Sequence, residues 1–544
     1  MKLLPLGVLA LASILTSSAA ASDGFGHSNS RAQLGHSWNG HASAGSLYSG
    51  QHETKPLSFA ADRPSTASSS TSGRLTIQRR SLWQLLFDND GEGNQQKRRA
   101  VPSARFLARQ RRRVSSSSKN SKRAKGSCKA PTTASASASS LPSPASSSAS
   151  TATSTTTSAP ASPANDTSET RTSTNKTMAG YWPDWVASTL PANSINFTKF
   201  DILNYAFALP TADFSLSIPT DPSGGLLRSF VKACKADDTK AVLSLGGWGG
   251  STYFSPAVRT ASSRATFIGN IVSMYELYDL DGIDLDWEYP GQTGAGNQLD
   301  SSDTANFQTF LQELRAALPE GALITAAVGF TPWVASNGQP VASVARAAGV
   351  MDYVMIMNYD VWGSSSYPGP NAPLANLCGN STQPSANAAA GVKAWSAAGM
   401  PRDKILLGIP AYGYINQSNK QTLRTREEKR AVKLTSSDGS STSGQINFST
   451  LVSQGALKLG ADGLYDGSGG FTKYWDDCSD TPYLSDGSRV VTYDDTSSIF
   501  DKGAFASAAG IGGISMWSVD GDTKSWALTN SAIAGMSSTG VVSS

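Results

Sequence analysis

Eight short, apolar and β-branched runs recur along the second part of the chain, with amphipathic stretches between them. The runs cover residues 179–182, 202–208, 241–245, 282–287, 323–328, 353–358, 405–409 and 513–517. Intervening segments such as 264–280 and 304–318 carry apolar residues at three- and four-residue spacing, which indicates amphipathic helices. Eight strands that alternate with helices over roughly 365 residues predict an α/β fold, a (β/α)8 TIM barrel, rather than two smaller domains.

The interval between the seventh and eighth runs is too long for one helical connection. We therefore predict an insertion between strands 7 and 8, with residues 415–500 forming a subdomain or long loops near the active-site rim. The whole barrel with its insertion is expected to span residues 177–540.

The most informative segment reads DGIDLDWEYP over residues 281–290. Side chains alternate along a strand, so Asp284, Asp286 and Glu288 share one face, opposite an apolar face. The apolar face packs on helices, which places the carboxylates in the barrel interior. Repulsion and desolvation raise their pKa values, and Glu288, nearest the mouth, suits a general acid. The alternatives are a solvated acidic strand and a metal site, because carboxylates also bind hard cations.

Histidine and cysteine usage removes several reaction classes. All four histidines lie within the first 52 residues, so a catalytic barrel would work without imidazole as a base or zinc ligand. Four scattered cysteines do not form a CxxC metal site. A bridge from Cys378 to Cys478 is compatible with the sequence, which does not decide the pairing.

The N-terminal third differs in composition from the rest. An apolar run before Ser18 predicts a signal peptide over residues 1–21, too short to span a membrane, so we expect export and no stable membrane insertion. Residues 22–176 are Ser/Thr-rich, and residues 1–176 hold 22 Lys+Arg against 8 Asp+Glu. We predict a disordered tail. It is a solvated linker, a pro-segment cut at dibasic sites, or a polyanion-binding arm; nucleic acid is not an expected partner.

With these motifs the sequence resembles the chitinases of glycoside hydrolase family 18. The family's DxxDxDxE signature is complete, and three further motifs follow the expected order. The matching residues are Asp281, Asp284, Asp286 and Glu288, then 244–248 (SLGGW), 357–360 (MNYD) and 513–517 before Asp520 and Asp522. The resemblance covers about residues 178–525.

The resemblance implies a substrate-assisted, retaining hydrolysis in which the N-acetyl oxygen of the substrate is the nucleophile. Glu288 is then the proton donor, and Asp286 orients the acetamido group with Asp284 behind it. Tyr359 is implied to hydrogen-bond the acetamido oxygen, and Asp360 to bind the sugar beside the scissile bond. No metal or cofactor is implied.

Aromatic side chains are expected to bind the sugar faces. Trp517 would form the floor of the central subsite, and the other expected binding residues are Tyr289, Met357, Asn358, Trp248, Tyr181 and Phe207. Core packing is the competing interpretation for Tyr181 and Phe207, and the expected role of Trp182, Trp287 and Trp526. Many family members carry Arg after the seventh-strand PxYG, where this chain has Tyr414.

These observations predict a secreted, monomeric endo-chitinase that acts on chitin or N-acetylglucosamine oligomers, extracellular and in part wall-associated. The alternatives are an endo-β-N-acetylglucosaminidase acting on N-glycans, a chitin-binding lectin that does not cut, and a protein whose basic tail carries the main function.

Overall fold

The computed structural model describes residues 175–364, 368–417, 432–440 and 443–538. The predicted signal peptide and the tail as far as residue 174, with its dibasic sites, lie outside these ranges. Within them no helix combines the length and the apolar character needed to cross a membrane.

The strands in chain order are β1 (Thr177–Pro183), β2 (Ile202–Pro210), β3 (Leu216–Ser217), β4 (Lys240–Gly246), β5 (Gly282–Asp286), β6 (Leu323–Val328), β7 (Tyr353–Ile356), β8 (Ile405–Pro410), β9 (Tyr412–Gln417), β10 (Gly444–Asn447), β11 (Leu457–Leu459), β12 (Tyr465–Gly467), β13 (Thr472–Asp476), β14 (Thr481–Ser485), β15 (Arg489–Thr492) and β16 (Gly513–Trp517). The α-helices are α1 (Gly225–Ala236), α2 (Phe254–Arg259), α3 (Ala261–Tyr278), α4 (Asp303–Ala317), α5 (Ala345–Ala348), α6 (Ala388–Ala397), α7 (Phe448–Ser453), α8 (Thr496–Ala509) and α9 (Ala527–Met536).

Eight parallel strands close into a barrel, which confirms the predicted fold. The order around the barrel is β1, β2, β4, β5, β6, β7, β8 and β16, and β16 pairs back with β1. Each predicted run coincides with one of these strands to within two residues at either end. The helices that follow the strands cover the outside of the barrel.

Alternation along the strands divides the apolar residues into two groups. Ile283 and Leu285 of β5, with Trp287 after it, belong to the large outer core. There the Trp287 ring stacks on Phe254 at 5.3 Å and meets Phe307 edge-on at 5.3 Å. A smaller group that includes Tyr181, Phe207 and Met355 is separate from that core. The outer contacts fix the side of β5 that is left for the carboxylates.

The predicted insertion between the seventh and eighth barrel strands is present. Its main element is an antiparallel sheet in the order β10, β9, β15, β14 and β13. A disulfide joins Cys378 to Cys478, with the two Cα atoms 5.2 Å apart. It ties the segment before α6 to the loop between β13 and β14. Cys234 in α1 is a buried free thiol.

Candidate active site

Asp284 sits at the centre of the site and is held by side chains from three other strands. Its carboxylate accepts hydrogen bonds from Tyr181 Oη (2.9 Å), Ser244 Oγ (2.7 Å) and Thr325 Oγ1 (2.6 Å). Ser244 and Thr325 are its direct neighbours in the strand register. Burial raises the pKa of Asp284, while these hydrogen bonds oppose the rise. Asp284 is thus fixed in position and is inaccessible to solvent.

Asp286 is the next carboxylate along the same face, and it has fewer partners. Its side chain is buried, and among the described residues nothing forms a hydrogen bond to its Oδ1 atom. Burial raises the pKa of Asp286 well above its usual range, and the nearby Glu288 and Asp284 charges raise it further. Asp286 Oδ1 can therefore accept a hydrogen bond from a bound ligand.

Glu288 follows β5 at the mouth of the barrel. Burial raises its pKa to about 7, a hydrogen bond from Tyr289 opposes the shift, and the charge of Asp360 adds to it. The backbone around Glu288 is held by two side chains: Ser251 Oγ accepts from the backbone N–H at 3.0 Å, and Asn297 Nδ2 donates to the backbone carbonyl at 2.7 Å. A fixed carboxyl that keeps its proton near neutral pH meets the requirement for a general acid.

The two glycines of the SLGGW motif allow the chain to pass close to this row. Gly246 has φ +106°, and a Cβ atom there would lie 2.4 Å from the carbonyl oxygen of Asp286. At Gly247, with φ +82°, a Cβ atom would lie 2.8 Å from the Phe207 ring. The Gly247 N–H donates to that same Asp286 carbonyl at 2.8 Å. A larger residue at either position would push the chain away from the carboxylates.

Asp281, the first acidic residue of the signature, lies at the opposite end of β5. Its carboxylate accepts from the backbone N–H of Ala241 at 2.9 Å and pairs with Lys240 Nζ at 3.2 Å. It therefore joins β4 to β5 at the bottom of the barrel and does not belong to the site.

Tyr359 and Asp360 follow β7, and the charges of Asp360 and Glu288 act on each other's surroundings. Asp360 adopts a left-handed conformation, with φ +58°, and its carboxylate accepts from Tyr412 Oη and Tyr414 Oη at 2.6 Å each. Burial raises the pKa of Tyr359 well above its usual range, and the charge of Asp286 is the next largest cause. Tyr359 therefore lies within electrostatic range of the acidic row.

Asn358, an expected binding residue, lies below the surface of the mouth. Its side chain is fully buried, and Nδ2 donates to the carbonyl of Pro373 at 3.0 Å. It holds the loop after β7, and its Oδ1 atom has no hydrogen-bond partner among the described residues, so its role in binding stays a prediction. Tyr359 and Asp360 depend on this loop for their positions.

Trp517 and its neighbours form an aromatic cluster beside the carboxylates. The Trp517 ring stacks on Phe207 at 5.6 Å and lies edge-on to Tyr181 at 5.5 Å. Trp517 is half-buried, whereas Tyr181 and Phe207 are almost fully buried. Tyr181 therefore supports Asp284 and Trp517 from below, and Trp517 offers the accessible surface.

The sequence analysis missed Trp185, which extends this cluster. Its ring lies 6.3 Å from Trp517 and 6.1 Å from Phe207, and 44% of the residue is exposed. An aromatic residue directly after the first predicted barrel strand, at the end where barrel sites lie, was the available signal.

The remaining predicted residues divide by burial. Tyr289, Met357 and Trp248 are half-buried around the mouth, whereas Trp182, Trp287 and Trp526 are buried as expected of packing residues. In the ranges that the structure describes, no three or more His, Cys, Asp and Glu side chains are grouped so as to hold a metal ion.

The comparisons with known proteins agree with this geometry. The sequence profile described as "Glycosyl hydrolases family 18" matches residues 177–522. A "chitinase-like effector" from Moniliophthora roreri is 37% identical over 371 residues, covering 63% of this chain and 88% of its own. Chitinase A1 of Niallia circulans is 31% identical over 308 residues, covering 52% of this chain and 40% of its own.

Solved structures show the same relationship. A chitinase from Rhizomucor miehei superposes with a TM-score of 0.56 at 32% identity, over 66% of this chain and 100% of that one. A mutant family 18 chitinase from Cycas revoluta, in complex with (GlcNAc)4, gives a TM-score of 0.53 at 26% identity, over 66% of this chain and 99% of that one.

Proposed function

The chain belongs to glycoside hydrolase family 18, and from this premise we propose that it is a secreted chitinase that cuts β-1,4 bonds within N-acetylglucosamine polymers. Family membership supports chitinase-type glycosidase activity. The observation that carries the proposal for this chain is the row formed by Asp284, Asp286 and Glu288, in which the outermost carboxyl has its pKa raised to about 7.

In the proposed first step, Glu288 donates its proton to the glycosidic oxygen as the bond from that oxygen to the anomeric carbon breaks. The carbonyl oxygen of the substrate's own acetamido group forms a new bond to the anomeric carbon, which gives a cyclic oxazolinium ion. Asp286 Oδ1, which has no partner among the described residues, accepts a hydrogen bond from the acetamido N–H, and the carboxylate stabilises the positive charge. The Tyr359 hydroxyl donates a hydrogen bond to the acetamido oxygen.

In the second step, the ionised Glu288 takes a proton from water, and the water oxygen attacks the anomeric carbon. The bond to the acetamido oxygen breaks, so the acetamido group is restored and the product keeps the β configuration. Glu288 ends the cycle protonated. One protein carboxyl therefore serves both steps, and no histidine is needed.

Substrate binding is assigned to the accessible aromatic surface. Trp517 would support the reacting sugar, while Tyr289 and Met357 would line the sides of the subsite. Trp185, exposed at the far end of the cluster, would stack on a more distant sugar unit. Extracellular localisation rests on the signal-peptide pattern of residues 1–21.

The test is hydrolysis of N-acetylglucosamine oligomers by the full chain, with product anomers followed by NMR. We expect β products initially, and a rate about 10²–10⁴-fold lower in Glu288→Gln. Glu276→Gln is the matched control, because Glu276 is exposed on α3 and should leave the rate unchanged. Products of α configuration, or full activity in Glu288→Gln, would contradict the mechanism.

Binding without cleavage is the second candidate, because two relatives carry the name "chitinase-like effector". The same experiment separates the two functions: the native chain would bind the oligomers and leave them intact. Cleavage of a high-mannose glycoprotein, with none of the oligomers, would instead favour an endo-β-N-acetylglucosaminidase.

A further inference from the structure

Asp360 has an unusual set of partners for a carboxylate at the mouth of the barrel. Two phenols, Tyr412 Oη and Tyr414 Oη, both donate to its Oδ1 atom at 2.6 Å. The Asp360 backbone is fixed as well, because its N–H donates to Asn371 Oδ1 at 2.9 Å, and Asn371 Nδ2 donates to the carbonyl of Tyr412 at 3.1 Å. The carboxylate is therefore held in one orientation.

No cation accompanies this carboxylate among the residues that the structure describes. The ion pairs in these ranges do not include Asp360, Glu288 or Asp286. The groups that interact electrostatically with Glu288 and with Tyr359 are carboxylates. Phenols orient a carboxylate and stabilise its charged form through hydrogen bonds, but they do not neutralise the charge.

Asp360 is also accessible to a ligand. Asp360 has exposed surface at the mouth, whereas Asp284 and Asp286 are buried. The surrounding protein raises the pKa of the Asp360 carboxyl, and the hydrogen bonds from Tyr412 and Tyr414 oppose that rise. Family members with Arg at the position of Tyr414 would place a guanidinium next to this carboxylate. In this chain that position supplies a hydroxyl, so the negative charge remains available to a cation from outside the protein.

We propose that Asp360, oriented by Tyr412 and Tyr414, selects a deacetylated, positively charged 2-amino sugar on the leaving-group side of the scissile bond. The inference rests on the proposed function, because the reacting sugar must keep its acetamido group to supply the nucleophile. The ammonium group therefore belongs to a neighbouring unit. Asp360 is close enough to Glu288 for its charge to act on that carboxyl, which favours the unit whose oxygen receives the proton from Glu288. Partly deacetylated chitin is then the preferred substrate class.

The experiment is digestion of a partly deacetylated chitin of known composition by the full chain, with the new non-reducing ends identified by mass spectrometry. These ends report the sugar that occupied the leaving-group side. We expect the ratio of glucosamine to N-acetylglucosamine at these ends to exceed the ratio in the polymer by about two- to fivefold, as a partly exposed ion pair allows. Added salt should reduce the excess.

Two substitutions at one position separate charge from hydrogen bonding. Tyr414→Arg adds a cation beside Asp360 and should abolish the excess, while Tyr414→Phe removes one hydrogen bond and should keep most of it. Tyr474→Arg adds the same charge at an exposed site on β13 and should leave the ratio unchanged. A native ratio equal to that of the polymer, or an unchanged ratio in Tyr414→Arg, would overturn the proposal.

Failure of the proposed chitinase activity can be distinguished from failure of the proposed selection. If the native chain does not cut even fully acetylated oligomers, the proposed chitinase activity is wrong, and selection is then measured by binding. In Glu288→Gln, calorimetry should show tighter binding of an oligomer carrying one free amine than of its fully acetylated counterpart. Adding Tyr414→Arg to this variant should remove the difference in affinity. Equal affinities for the two oligomers in Glu288→Gln alone would refute the proposed selection of the ammonium group.

Discussion

Carboxylates are buried at the mouth of the barrel and again between β15 and α8, but their surroundings differ. Asp284, Asp286 and Glu288 have no cation beside them among the described residues, and their pKa values are raised by burial. Asp494 and Asp495 are equally buried, and each pairs with a lysine. Burial raises the pKa of Asp494 as well, but there the charge of Lys502 opposes the rise. The partners are Lys502 for Asp494 and Lys473 for Asp495.

The difference separates two uses of a buried carboxylate. A buried charge costs several kcal/mol unless a counter-ion and hydrogen bonds offset it. The lysine-paired group has its counter-ions, although Asp494 Oδ2 has no hydrogen-bond partner among the described residues. Asp495 also caps α8 by accepting from the backbone N–H of Ser497 at 2.8 Å. The carboxylate row inside the barrel has no counter-ion among the described residues, so the raised pKa values of its carboxyls are not opposed by a positive charge. Carboxyls with strongly raised pKa values in a cleft are typical of catalytic sites.

Replacing Asp286 tests the unpaired group most directly. In Asp286→Asn we expect the rate on N-acetylglucosamine oligomers to fall by about 10²–10³-fold, since a preorganised electrostatic contact to the transition state is lost. The free energy of unfolding in urea should stay equal or rise, because a poorly solvated carboxyl is removed. A clear loss of stability with little change in rate would show that Asp286 has a structural role, like the lysine-paired carboxylates.

Replacing Asp494 tests the paired group, and the effects should be reversed. Asp494→Asn removes the anion that is hydrogen-bonded to the buried Lys502 and should lower the free energy of unfolding by about 3–5 kcal/mol. Activity per folded molecule should not change. The matched control is the double variant with Lys502→Met, which removes the stranded charge and should recover most of the loss. A loss that persists in the double variant would show that the ion pair was not its cause.

The sequence was sufficient for the unpaired group because that group follows from a local rule. Alternation along β5 separates Asp284 and Asp286 from Ile283 and Leu285, and the strand alone determines this arrangement. The barrel was predictable for the same reason, since each strand and helix carries its own periodicity. The disulfide between Cys378 and Cys478 was one of several possible pairings until the fold brought the two residues together.

Features that depend on distant residues were not predictable. Asn358 belongs to a motif, but the motif does not indicate that its Nδ2 donates to the carbonyl of Pro373, 15 residues further along the chain. The phenols that hold Asp360 come from β9, more than 50 residues away. Neither contact leaves a periodic signal in the sequence, because each one is made by a loop that the barrel positions.

The stability and activity of the native chain should both depend on pH through Glu288. The pKa of Glu288 is raised from 4.5 to about 7, so its proton favours the folded state below pH 4.5, and this contribution is lost as the pH rises through 7. Activity should fall over the same range as the acid ionises. Relative to Glu288→Gln, the native chain should lose up to about 3 kcal/mol of unfolding free energy between pH 4.5 and pH 8. Urea unfolding at several pH values measures the difference, and parallel curves would contradict the raised pKa.

The smallest effect is expected at Asp281, which belongs to the same signature but to the paired kind of carboxylate. In Asp281→Asn the amide oxygen still accepts from the backbone N–H of Ala241, and only the partly exposed pair with Lys240 is lost. We expect the free energy of unfolding to fall by less than about 1 kcal/mol. The rate and its pH profile should not change. If the rate in Asp281→Asn fell as far as in Asp286→Asn, motif membership rather than the environment of each carboxylate would determine function, and the division into two groups would be wrong.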